Sequence, residues 1–203
     1  MRPGTSVAPD VRWRDRLEHA ADDVLDLPEL DHRQPLDGSS DWLSETYPSR
    51  QEAVLAGVTP LLRLVVEAVR TGDASVNVVW MDLIPTLAPN PRAGGITRLV
   101  ELRRVPGTLL FHVGGMAACA AGDDALVGRL LSALVRVDDP SYGPRPAVVS
   151  LRAELAFPDG WPSKQLRGFL VTLLSATIGR RTAERAWERW AHLCAVAMAY
   201  FGA

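Results

Sequence analysis

Two periods alternate along this chain. In the C-terminal third, Val149, Leu151, Ala153, Leu155 and Phe157 alternate with Ser150, Arg152, Glu154 and Ala156, which predicts a strand over 147–157 with one buried and one polar face. Pro158-Asp159-Gly160 stops it. Beyond Ser163 the apolar residues Leu166, Phe169, Leu170, Leu173, Leu174 and Ile178 recur at three and four, the spacing of a helix with one buried face, and Gly179 ends the run. From Thr182 the same spacing returns in Ala183, Trp187, Trp190, Ala191, Cys194, Ala197, Met198 and Phe201, so the chain closes on a helical pair.

The N-terminal half reads less evenly. Residues 1–9 are small, polar or proline and predict a mobile end. Asp10 can cap a helix whose stripe is Trp13, Leu17, Ala20, Ala21, Val24 and Leu27, stopping before Pro28. Residues 29–47 carry Leu36, Trp42, Leu43 and Tyr47 without a period and read as a linker. Ser49 and Glu52 have capping-box spacing, which places a helix start at Arg50, a bend at Pro60 and an end at Gly72.

Ser75–Ile84 is rich in β-branched residues and predicts a strand. Pro106-Gly107 reads as the turn of a hairpin between Ile96–Val105 and Thr108–Val113. Asp123 or Asp124 then caps a helix through Leu126, Leu130, Ala133, Leu134 and Val137. The resulting fold class is α+β, with an antiparallel β-sheet packed with helices, a helical N-terminal extension and a C-terminal helical pair. Residues 1–48 form the N-terminal helix and linker, and 49–203 a single α+β domain.

Composition narrows the function more than it identifies it. At 203 residues and 47% hydrophobic content the chain can bury one good core. A formal net charge of −2 supplies no overall basic field for nucleic acid. Lys164 is the only lysine among many arginines, alanines and valines, as in a GC-rich bacterial genome. Cys119 and Cys194 are too few and too far apart for a disulfide framework, the N-terminus has no signal-peptide core, and no apolar run reaches membrane-spanning length. A cytoplasmic protein with no membrane segment is expected.

Candidate chemistry is sparse. Asp22, Asp23 and Asp26 match the aspartate motif with which isoprenoid synthases hold magnesium, but in this context they read as a solvated helix face. His112 and Cys119, seven residues apart, are the candidate nucleophile pair, with Asp82 a further candidate lining the same pocket. Their alanine-rich surroundings favour a core reading. No zinc-ligand spacing, Gly-x-Gly-x-x-Gly, P-loop or Gly-x-Ser-x-Gly is present, so no metal and no cofactor is expected. On the last helix Arg181, Arg185, Arg189 and His192 align on an outer stripe, with Glu184 and Glu188 beside them. This stripe is the candidate partner-binding surface. Trp187 and Trp190 fall on the opposite face, which leaves no aromatics interleaved for nucleic acid.

The predicted meander from Val76 to Val113, the helix after it and a strand leading into a helix over Val148–Leu174 with a Ser-Lys-Gln-Leu helix start resemble type III secretion chaperones and the related YbjN-type bacterial sensory-transduction regulators. The resemblance rests on the order of elements. It implies a catalytically silent module that binds a protein segment and often dimerises. The leading expectation is therefore a non-catalytic protein-binding module, chaperone-like or regulatory. The alternatives are a small-molecule enzyme with a pocket near His112 and Cys119, and a subunit of a hetero-oligomeric complex whose partner covers Trp42, Tyr47 or the Arg181 stripe.

Overall fold

A computed structural model describes residues 9–30, 40–89, 101–135, 144–151, 157 and 163–201. The elements are α1 (Pro9–Leu25), a 3-10 turn (Pro28–Leu30), α2 (Ser40–Thr71), α3 (Ala74–Leu87), α4 (Val105–Ala121), α5 (Asp124–Ser132), β1 (Leu134–Val135), β2 (Arg145–Pro146), α6 (Ala147–Ser150), α7 (Lys164–Ile178) and α8 (Arg180–Phe201). Among the described residues the strands are β1 and β2 alone, paired antiparallel with Leu134 opposite Pro146 and Val135 opposite Arg145. The α+β expectation is thus overturned: the described residues are mostly helical, with one ribbon of two short strands in place of a helix-covered sheet.

The centre of the fold is α4. Every residue from Val105 to Cys119 is buried, on all sides of the helix, as expected only for a helix enclosed by others. Helices α2, α3, α7 and α8 surround it, and α5 follows directly from its C-terminus through Gly122. Pro106 and Gly107, expected to form a hairpin turn, occupy the first turn of α4, where proline's missing N–H leaves no helical hydrogen bond broken. Gly107 lets that turn lie against Ala88 and the Ile84 carbonyl at the end of α3, where a β-carbon would come within 2.7 Å of both.

The segment expected as the first strand is α3. Asp73 caps it by accepting from the Ser75 backbone N–H at 2.9 Å, and the buried residues Val76, Val79, Trp80, Ile84 and Leu87 recur at helical spacing. Its β-branched content is outweighed by burial against α1 and α4. The capping box expected at Ser49 does not form either. Helix α2 begins nine residues earlier at Ser40 and runs through Pro48, and the Ser49 hydroxyl donates back to the Thr46 carbonyl at 2.9 Å as an interior helical serine does. Of the strand expected over 147–157, Ala147–Ser150 form one helical turn, and residues 152–156 lie outside the described residues, as do residues 1–8 and the expected hairpin strand before Glu101.

Other expectations stand as they were read. Leu17, Ala21 and Val24 of α1 are buried, Gly72 closes α2 at φ +70°, Asp123 caps α5 by accepting from the Leu126 N–H at 2.9 Å, and Gly179 separates α7 from α8 at φ +79°. The helix that Asp123 caps is shorter than expected: it ends at Ser132, Leu134 is exposed in β1, and residue 137 lies outside the described residues. The helical pair at the C-terminus is present, with Leu166, Leu170, Leu173 and Leu174 facing inward from α7 and Ala183, Trp187, Trp190, Cys194 and Ala197 from α8. Helix α1 contributes to the same buried cluster as the rest, and α2 passes unbroken through residues 48 and 49.

Candidate functional site

His112 and Cys119 lie on the central helix, seven residues apart. That spacing puts them on one face but about 10 Å apart along the axis, beyond hydrogen-bond reach. His112 is 2% exposed, and its Nδ1 accepts from Trp190 Nε1 at 3.0 Å. The neutral ring therefore carries its proton on Nε2. Burial lowers the imidazole pKa to about 3, so at neutral pH it is a poor base with one lone pair already engaged.

Burial likewise pushes the Cys119 thiol up to about 11, with Arg189 pulling slightly down and Asp124 slightly up. Cys194 is pushed up further by burial and by Cys119. Neither thiol has the electropositive, solvent-reached surroundings of a nucleophile. Asp82 stands exposed on α3. The three residues of the enzyme reading do not converge, and His112 is a structural acceptor for the α8 tryptophan.

The fixed neutral state of His112 has a measurable consequence. Because its folded pKa lies below the ordinary 6.5, the unfolded chain takes up a proton first as pH falls, and stability is lost from about pH 6.5 down to about pH 3 at about 1.4 kcal/mol per unit. His112→Gln keeps an acceptor but cannot titrate. Urea unfolding of both proteins at pH 7 and pH 4.5 is expected to show the wild type losing about 3 kcal/mol more than the variant. A stability difference that does not change with pH would contradict a buried neutral His112.

The arginine stripe of α8 is on the surface, as expected: Arg181, Arg185, Arg189 and His192 are all exposed. Arg189 is not available in full, because its Nη2 donates to Asp124 Oδ1 at 2.7 Å and ties α8 to the first turn of α5. Tyr47, considered as a surface for a partner, is buried; the side chain of Trp42 lies outside the described set. Asp22, Asp23 and Asp26 are exposed, and no metal-holding cluster of acidic, His or Cys side chains occurs among the described residues.

Sequence reading missed a second basic feature. Lys164, Arg167, Gly168, Val171, Thr172 and Ser175 form the outer face of α7, and with Arg180 and Glu184 of α8 they line a groove of about 510 Å³. From Lys164 to Ser175 the face extends about 16 Å at the helical rise per residue. Among the described lining residues three are cations and one is a carboxylate, Glu184, which accepts from Arg180 Nε at 3.0 Å. Ser163, buried, opens the helix by accepting from the Leu166 N–H at 3.1 Å, which fixes where Lys164 and Arg167 emerge. The signal was present: these positions are the complement of the Leu166, Leu170, Leu173 and Leu174 stripe, so a helix with that apolar face must carry Lys164 and Arg167 on the other. Among the described residues no helix is long and apolar enough to cross a membrane.

No known family's sequence model, curated protein or solved structure matches the chain.

Proposed function

We propose that the protein is a non-catalytic binding module of the cytoplasm that takes an acidic segment of a protein partner along the α7–α8 hairpin. The groove in which Lys164, Arg167 and Arg180 outnumber Glu184 among the described lining residues is the observation behind this reading. An extended chain of about five residues covers 16 Å, so a short run of aspartate and glutamate can meet all three cations at once. Thr172 and Ser175 supply hydroxyls between them, and exposed Arg181 and Arg185 continue the positive surface at the start of α8. The fate of His112 and Cys119, held inside the core, agrees with a module that binds rather than reacts. Two free thiols, both buried, suit a reducing compartment.

A fluorescently labelled decapeptide of alternating aspartate and glutamate, titrated with the full chain, tests the reading. Binding is expected to weaken as salt rises, because exposed charges are screened. The double variant Lys164→Glu, Arg167→Glu is expected to lose about tenfold in affinity, since two attractions become repulsions. Arg181→Glu with Arg185→Glu is expected to lose less. If the second pair matters more, the partner sits on the α8 stripe instead of the groove; if neither pair changes binding, an acidic partner on this hairpin is excluded.

A further inference from the structure

A different cavity, sharing no lining residue with the groove, opens beside the Gly179 turn. It is a pocket of about 420 Å³ where four helices end or begin together: Val66 and Arg70 come from the end of α2, Ala117, Ala120 and Ala121 from the end of α4, Ile178 from the end of α7 and Thr182 from the first turn of α8. Its size lies within the about 300–1,000 Å³ of small-molecule sites, and its make-up of an apolar body with few polar groups is theirs too. The walls are alanine, valine and isoleucine. Among the described residues no aromatic ring lines it, so this wall has nothing to stack a planar ligand and suits a flexible aliphatic chain.

The polar groups are what select the ligand. Arg70 and Thr182 are both exposed at this pocket, and among the described residues no carboxylate pairs with Arg70. The nearest acidic residue in its own helix, Glu67, is directed to Arg16 of α1 at 4.0 Å. A guanidinium and a hydroxyl lining the same pocket as an aliphatic wall are complementary to a carboxylate carried on a hydrocarbon tail. We propose that this pocket binds a medium-chain aliphatic carboxylate, with its chain against Val66, Ala117, Ala120 and Ile178 and its carboxylate on Arg70 and Thr182. The site shares no lining residue with the α7–α8 groove, and it stands or falls independently of the acidic partner.

Calorimetric titration of the full chain with butyrate, hexanoate, octanoate and octanol tests it. Affinity is expected to rise about fourfold for each added methylene, the yield of burying one such group. Octanol is expected to bind at least tenfold more weakly than octanoate, the loss of one charge-assisted hydrogen bond. Arg70→Gln is expected to cost octanoate about tenfold and leave octanol unchanged. Ala120→Leu fills the pocket and is expected to abolish binding; Ala121→Leu, at an exposed position of the same wall, serves if the first variant does not fold. Three results would overturn the proposal: no saturable octanoate binding, binding indifferent to Arg70→Gln, or binding unaltered by the filling variants, which would mean adsorption elsewhere on the surface.

Discussion

Trp190→Ala is expected to lose about 4–6 kcal/mol of stability. The indole is fully buried where α8 meets α4, its ring centroid 5.2 Å from that of Phe111, and truncating a buried tryptophan costs about 3–5 kcal/mol through lost transfer energy and the cavity left behind. The remainder comes from His112. With the indole N–H gone, Nδ1 loses its donor in a site that burial has already made hostile to protonation, so the acceptor cannot recover by charging. Domains of ordinary stability have about 5–15 kcal/mol to lose. Urea denaturation followed by far-ultraviolet circular dichroism should show a large fall in midpoint or no cooperative transition at all. Trp190→Phe, which retains much of the ring but not the donor, should fall between wild type and Trp190→Ala. A loss under 1 kcal/mol in Trp190→Ala would show that α8 is not anchored to the centre through this residue.

Adding a single methyl group should be nearly as informative. A β-carbon at Gly114 would fall 2.3 Å from Trp80 Cη2 of α3, and one at Gly115 would fall 2.3 Å from Trp190 Cε2 of α8. Neither indole can retreat. Trp80 donates to Asn77 Oδ1 at 3.0 Å, Trp190 donates to His112, and both are fully buried. Helix propensity favours alanine over glycine by about 1 kcal/mol, whereas overpacking costs about 1–3 kcal/mol and more where rigid rings are struck. The clash wins, and Gly114→Ala and Gly115→Ala are each expected to destabilise by about 2 kcal/mol. Gly128→Ala on α5, where nothing lies within 4 Å of the added carbon, should instead stabilise by up to about 1 kcal/mol. The decisive measurement is a double-mutant cycle: with Trp190 already reduced to alanine, Gly115→Ala should become neutral or favourable. If it stays destabilising, the notch explanation is wrong.

These two glycines also show what could be read from the sequence. Gly114-Gly115 breaks any local pattern and reads as the end of a strand, but its meaning is tertiary: two adjacent positions, pointing about 100° apart on one helix, each admit an indole from a different neighbour. Helix α4 as a whole was illegible for a related reason. A helix apolar all round has no periodic contrast, so Leu109, Phe111 and Val113 could equally be read as alternating, although all the residues between them are buried as well. In α3 the β-branched run Val76, Val78, Val79 suggested extension, while Asp73, which caps the helix, was passed over. By contrast α1, α7 and α8 each have one buried and one wet face, and their stripes, together with the Gly179 stop between α7 and α8, are legible in the sequence, except that Phe201 is exposed. Of the candidate sites, the arginines of α8 were found because they are periodic and exposed. The α7 face of the groove is legible as the complement of that helix's apolar stripe, whereas its Arg180 and Glu184 side, and the whole Arg70 pocket, are assembled from different helices that only packing brings together.

The enclosed position of α4 has a consequence during synthesis of the chain. Its most apolar helix is made before the partner that covers it through Trp190 and the Gly115 notch. From Ala121 to Phe201 about 80 residues separate the two. At about 5–20 residues per second, α4 spends about 4–16 seconds outside the ribosome with α2 and α3 in place and its remaining face open. During that interval the nascent chain presents apolar surface that the finished molecule never shows, and its yield in the cell depends on what else reaches that face first.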